Sequence, residues 1–296
     1  MEADGRRSGP GSKGRFGSYR TRRFSWKRSE GEPEEPKDED ERIPDDGAPT
    51  TMEAAVGNAL LGAGPMVTVG VCLGKKPVLP LVAMATSFVH LTALVVAAAP
   101  WKLAQGSLDG RNDLLVGMLL TVVAVQEGTR WGIQRAKERS EEWLDDISKK
   151  QGLGPLQETQ RLHIALAIGY GHGITTTLFF FLGLLPVSFS GGTFYVKSCP
   201  QIDFFTLAAC CSLAFALNHT FSSAVYTNGC RTNNLLHKHL PPALHLTMAL
   251  LTAGNLLRGG CLAVLPLLFL FALVPSLLTW KIYWTSGEWT ALPETE

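Results

Sequence analysis

From Ala54 onward the chain alternates long apolar runs with short polar breaks. A helix needs about 20 predominantly apolar residues to cross a bilayer. Seven segments approach that length: Ala54–Leu73, Val78–Ala99, Leu114–Ile133, Leu162–Val187, Phe204–Val225, Pro242–Leu257 and Gly259–Trp280. In lipid a helix satisfies its own backbone polar groups, so each run predicts a helix. The pattern predicts an all-α polytopic membrane protein, a seven-transmembrane helix bundle in one domain over residues 52–284. It excludes a large soluble core.

Composition changes the picture mainly at the ends. Apolar residues make up 46% of the 296 positions, yet residues 1–51 hold almost none in runs. Residues 1–28 carry nine basic residues, and the stretch from Glu30 to Asp46 is acidic. Segregated charge with Gly, Ser and Pro cannot bury enough surface to fold, so residues 1–51 are expected to be a disordered tail. A basic arm of this kind could meet nucleic acid, but no nucleic-acid-binding fold accompanies it, and no nucleic-acid partner is expected. Residues 285–296 form a short C-terminal tail. No secretory signal precedes the first span. The six cysteines show no CxxC spacing, so a zinc ribbon is not indicated. Most lie in spans, where cysteine acts as a small apolar filler.

Charge between the runs orients them. Loops one, three and five, with the segment after the last span, hold twelve Lys and Arg, and the other loops hold four. The positive-inside rule places the richer side in the cytosol. The N-terminus is then exoplasmic and the C-terminus cytosolic. The third loop, RWGIQRAKERSEEWLDDISKK, continues as a helix with Lys137–Glu141 and Arg139–Glu142 at helical spacing. It reads as a solvated extension.

Polar side chains inside spans are costly and face protein or water. Glu127 and Arg130 are three apart in the third run, on one face, and read as an ion pair near the cytosolic interface. His219 lies mid-way along the fifth run, with Ser212, Ser222, Ser223 and Tyr226 on its face. That stripe must meet another helix or a wet cavity. The sequon at Asn218 lies mid-span, out of reach of glycosylation. His245 lies in the sixth run, and two histidines on consecutive spans make a shared site plausible. For an aspartyl protease the spans lack interior Asp pairs, Asp203 sitting only at an edge. For a serine hydrolase no GxSxG appears. A zinc hydrolase could draw nitrogens from His90, His172, His219 and His245, but HExxH is absent, and the sequence places no carboxylate beside them.

The fourth run contains IGYGHGITTT, in which Gly169, Gly173 and Thr177 fall four apart on one face. Small residues at that spacing form a groove that admits another helix closely. Together with GNALLGAGP, VQEGTRWGIQRAKERSEEWL, SGGTFYVKSCPQIDFF, LNHTFSSAVYTNGC and PPALHLTMALL, this stretch resembles the anterior-pharynx-defective (Aph) subunit family of γ-secretase. The likeness runs from about Met52 to Trp280.

The resemblance implies a non-catalytic seven-span scaffold without a cofactor, embedded in membrane lipid. It would hold presenilin, nicastrin and the presenilin enhancer in one complex, in which presenilin cuts substrates. It implies residence in endoplasmic reticulum, Golgi and plasma or endosomal membranes. Carried over residue by residue, Gly169 and Gly173 would pack against partner helices. His219 and His245 would line a polar cavity and support assembly with presenilin, and Glu127 and Arg130 match the family's pair after Gln126. Thr177 stands where the family has a third glycine, and the seventh run ends VPSLLTWKIYW rather than on small residues. Residues 1–51 have no counterpart, and the likeness starts at Met52, so the mature protein is expected to start near Met52. Two readings of other classes stay open: an intramembrane metal-dependent hydrolase using His172, His219 and His245, and a solute or ion pathway along the His219 stripe.

Overall fold

The computed structural model describes residues 52–104, 113–152, 154–184, 195–196 and 198–285. The charged stretch 1–51 and the last residues, 286–296, lie outside them, so the expectations of a disordered tail and of a start near Met52 fall outside the described residues. Among those residues seven α-helices follow in order: α1 Met52–Leu73, α2 Val78–Ala104, α3 Asp113–Lys150, α4 Glu158–Phe180, α5 Phe204–Thr232, α6 Leu235–Thr252 and α7 Cys261–Thr285. Short 3-10 turns follow α4, at Leu182–Leu184, and α6, at Ala253–Leu256. Strands β1 (Tyr195–Val196) and β2 (Cys199–Asp203) form an antiparallel pair just before α5.

The helix ends have local causes. Asp203, the edge carboxylate of the sequence, is the N-cap of α5 and accepts from the backbone N–H groups of Phe205 and Thr206 at 3.0 and 3.1 Å. Asn233 ends α5 in the left-handed region, at φ 54°. Asn234 immediately caps α6 through the N–H groups of Leu236 and His237. The start of α6 at Leu235 therefore corrects the expected start at Pro242 by seven residues. Likewise α7 runs from Cys261 to Thr285, not from Gly259 to Trp280.

Among the described residues five helices are long and apolar enough to cross a membrane: Met52–Leu73, Val78–Pro100, Glu158–Leu184, Phe204–Thr232 and Cys261–Thr285. The helices α3 and α6 are not among them. The polar side chains described below dilute their apolar runs.

The packing has a centre. Helices α4 and α5 lie against each other along most of their length, with α1 and α2 on one flank and α6 and α7 on the other. Helix α3 packs on α2 and α6. Accordingly 61% of the most apolar stretch of α4 and of α5 is buried, against 17% in α1 and 28% in α2 and in α7. One apolar cluster joins Phe215, Met248 and Leu268 across α5, α6 and α7; another joins Leu73, Leu79 and Ala167 across α1, α2 and α4. The outer faces of α1, α2 and α7 present Val71, Met84, Phe88, Leu270 and Leu277 outward, as lipid-facing helices do.

Candidate functional site: a buried polar cluster between five helices

Helix α4 can sit at the centre because it has glycines on two faces. A methyl group on Gly169 would lie 2.2 Å from the carbonyl oxygen of Thr220, and one on Gly173 2.7 Å from that of Ala216. Both approaches are to α5. A methyl group on Gly171 would lie 2.4 Å from the carbonyl of Ala83 on α2. The groove expected at Gly169 and Gly173 therefore exists, but its occupant is α5 of the same chain rather than a partner helix. Thr177 is fully buried and donates to the carbonyl of Gly173 at 3.2 Å. On the α2 side, Thr175 donates to the backbone carbonyls of Gly171 and Ser87.

This close packing carries polar side chains from five helices into one place. Glu127 and Arg130 come from α3, His90 from α2, His172 from α4, His219 from α5 and His245 from α6. Arg130 donates from one terminal nitrogen to both oxygens of Glu127 at 2.7 Å, and from the other to Nδ1 of His219 at 3.2 Å. Oε1 of Glu127 accepts from Nδ1 of His245 at 2.6 Å. The rings of His219 and His245 are 4.7 Å apart, and those of His90 and His172 stack at 4.5 Å.

The expected pair of Glu127 and Arg130 forms, but not as an interfacial pair. Arg130 is 3% exposed. Its two terminal nitrogens are taken by Glu127 and His219, while its Nε is buried without a protein partner. The carboxylate that the sequence did not place beside the histidines is Glu127 itself. His172 stacks on His90 and makes no direct bond to His245. Among the described residues, no three His, Cys, Asp or Glu side chains are grouped so as to hold a metal ion.

The hydrogen bonds fix two tautomers. A guanidinium only donates, so Nδ1 of His219 accepts and its proton is on Nε2. A carboxylate only accepts, so His245 carries its proton on Nδ1. The chain His219–Arg130–Glu127–His245 thus joins three helices through two imidazole rings and one ion pair. Both ring nitrogens of His90 and Nε2 of His172 are buried without a protein partner. On the stripe below His219, Ser212, Ser222 and Ser223 are buried, and Ser222 bonds Asn218 at 3.1 Å. A cavity of about 210 Å³ reaches His219 and His245 past Val123, Phe180 and Phe215.

The C-terminal extension of α3 is not simply solvated. Its face of Gln134, Lys137 and Glu141 is buried. Gln134 accepts from Thr227 of α5 at 2.8 Å, and Lys137 pairs with Glu141 at 2.6 Å. Burial pushes the Lys137 ammonium below its usual range, with Glu141 opposing that shift. Arg161 of α4 then bridges Glu141 and Asp145 at 2.8 and 2.6 Å. The Asp145 carboxyl is held below its usual range, first by the backbone N–H of Leu156 and then by Arg161.

A disulfide between Cys199 and Cys261 joins β2 to the start of α7. The filler reading of cysteine does not apply to these two. Both lie where the positive-inside rule places the exoplasmic side, which was the available signal.

The sequence model of the Aph-1 protein family matches residues 53–286. A protein of Arabidopsis thaliana named "Gamma-secretase subunit APH1-like" is 33% identical, over 79% of this chain and 94% of its own. "Gamma-secretase subunit Aph-1" of Drosophila melanogaster is 27% identical over 62% of this chain and 73% of its own. "Gamma-secretase subunit Aph-1b" of Danio rerio is 23% identical over 69% and 80%.

Proposed function

The chain belongs to the Aph-1 family, and on that premise we propose that it is a non-catalytic, seven-span scaffold subunit of a γ-secretase complex. The observation that carries this is the match over 53–286, which takes in all the helices but the first residue of α1. The buried cluster agrees with it. Its one carboxylate is held by Arg130 and His245, an arrangement that fixes helices.

Three polar contacts and a disulfide near the helix ends support the span count. Lys76, in the α1–α2 turn, donates to His163 near the start of α4, and Arg231 at the end of α5 pairs with Glu158 at the start of α4. Asp145 near the end of α3 meets Arg161. These ends share one side. The disulfide puts the starts of α5 and α7 together on the other. With α2 crossing, α3 must return to reach α4, and α6 must cross between α5 and α7. Shielding inside the bundle lets both carry polar residues that lipid would reject. The side with Lys75, Lys76, Arg135 and Arg139 is then cytosolic, and the disulfide faces the oxidising compartment. Arg130, inside the bundle, drops out of that loop count.

The partners of this reading are presenilin, nicastrin and the presenilin enhancer, in endoplasmic reticulum, Golgi and plasma or endosomal membranes. Gly169, Gly173, Thr177, His219, His245, Glu127 and Arg130 serve assembly indirectly, by setting the shape of the bundle that partners meet. The test is co-purification of the tagged chain in mild detergent with mass spectrometry. The three partners should be recovered together, and the chain stripped of them should cleave no substrate. Recovery of the chain without a presenilin would overturn the reading.

A further inference from the structure

At the end of the bundle where α4 begins and α5 and α7 finish lies a cavity of about 410 Å³. Its lining has two halves. Leu162, Ala224, Leu278 and Ile282 form an apolar wall from three helices, and Arg231 and Lys281 stand at its polar side. Arg231 is engaged by Glu158. Lys281 is exposed and forms no ion pair among the described residues. Next to it Trp280 and Trp284, each 61% exposed, stack along α7 at 6.2 Å. Exposed Trp on a spanning helix marks headgroup depth. His237 accepts at Nδ1 from the amide of Asn228, at 2.9 Å, which leaves its Nε2 proton to donate.

We propose that this cavity holds the headgroup of an anionic phospholipid of the cytosolic leaflet. Lys281 and Arg231 take phosphate oxygens, and Leu162, Leu278 and Ile282 face the glycerol and first acyl carbons. A soluble phosphate compound would use the basic side but leave the apolar wall wet. A zwitterionic lipid would use the wall but would bring its own cation close to Lys281 and Arg231, which offsets the attraction of its phosphate. Basic pockets between spanning helices on the cytosolic side suit anionic headgroups for this reason. Glu158 competes with the lipid for Arg231.

The proposal rests on the orientation given above, and two measurements separate the two. Full-length protein in neutral detergent is titrated with phosphatidic acid, with phosphatidylcholine, or with glycerol 3-phosphate, and bound ligand is counted by native mass spectrometry. One phosphatidic acid per chain should be retained in preference to phosphatidylcholine. Lys281→Ala should lower that preference about fivefold, the effect of one basic residue at an anionic surface; Lys281→Arg should restore it. Glu158→Gln should raise retention by freeing Arg231, an outcome that loss of structure would not give. Equal retention of both lipids, displacement by glycerol 3-phosphate, or no effect of Lys281→Ala would each overturn the proposal. Labelling of a Lys281→Cys variant by an impermeant maleimide in sealed vesicles, taken above that of the parent chain with its exposed Cys72, reports sidedness alone. Labelling from the exoplasmic side would overturn the orientation without touching the micelle result.

Discussion

Glu127 of α3 and His245 of α6 stand 118 positions apart and share a hydrogen bond of 2.6 Å. The same carboxylate holds Arg130 at 2.7 Å, and Arg130 in turn reaches His219. One acidic side chain therefore ties α3 to α6 directly and to α5 through its cation. Removing it leaves Arg130 buried without an anion, and such a broken buried pair costs about 3–5 kcal/mol.

Glu127→Ala should therefore destabilise the purified chain more than the double variant Glu127→Ala with Arg130→Met, in which no buried charge is left over. Thermal unfolding in detergent is the readout. A double variant less stable than the single one would show that the ion pair itself, rather than the orphaned cation, dominates.

His219→Ala and His245→Ala should each reduce the yield of assembled complex, and together by less than the sum. They are two ends of one hydrogen-bonded chain, and such residues couple by about 0.5–3 kcal/mol. Strict additivity would show that the chain of bonds does not transmit between them.

Gly173→Leu should abolish assembly, and even Gly169→Ala should lower stability by about 1–3 kcal/mol or more, the cost of overpacking. The methyl group on Gly169 meets backbone, at 2.2 Å from the Thr220 carbonyl, so only separation of α4 from α5 relieves it. Gly117, with nothing within 4 Å of its added methyl group, is the control and should tolerate alanine. Equal melting temperatures for the two alanine variants would refute the close α4–α5 approach.

Cys199→Ser with Cys261→Ser should cost about 4 kcal/mol, the loop-closure entropy for a bridge of this span, since the two are separated by 62 positions. Reductant should lower the melting temperature of the parent chain and leave that of the double variant unchanged. A parent insensitive to reductant would show that the bond does not constrain the unfolded chain.

Asp145 gives a pH signature near the end of α3. Its folded pKa lies below the ordinary 3.8 because Leu156 N–H and Arg161 favour the carboxylate. The stabilisation is thus complete above that ordinary value and is lost as the pH falls through the lower folded one. Protection of the Leu156 amide from hydrogen exchange should fall over that acid range, and Asp145→Ala, which removes the acceptor, should show the loss already at neutral pH. An amide equally protected in the variant would show that the carboxylate does not hold the α3–α4 turn.

Properties of consecutive residues were legible in the sequence. Hydropathy alone located the five most apolar helices, because leaving water depends on each segment's own side chains. Helical spacing alone paired Glu127 with Arg130 and put Gly169 and Gly173 on one face, since residues three and four apart are always neighbours on a helix. The partner of each face was not legible. Whether a glycine groove receives a foreign helix or α5, whether Lys137 and Glu141 meet water or protein, and which histidine finds Glu127 depend on contacts between segments tens of residues apart. The stacking of His90 on His172 and the bond between Cys199 and Cys261 are of the same kind. Lipid is as apolar as leucine and does not select among helix faces. The choice falls to close backbone approach at α4 and to the buried charges of α3, and both are decided only when the helices are packed.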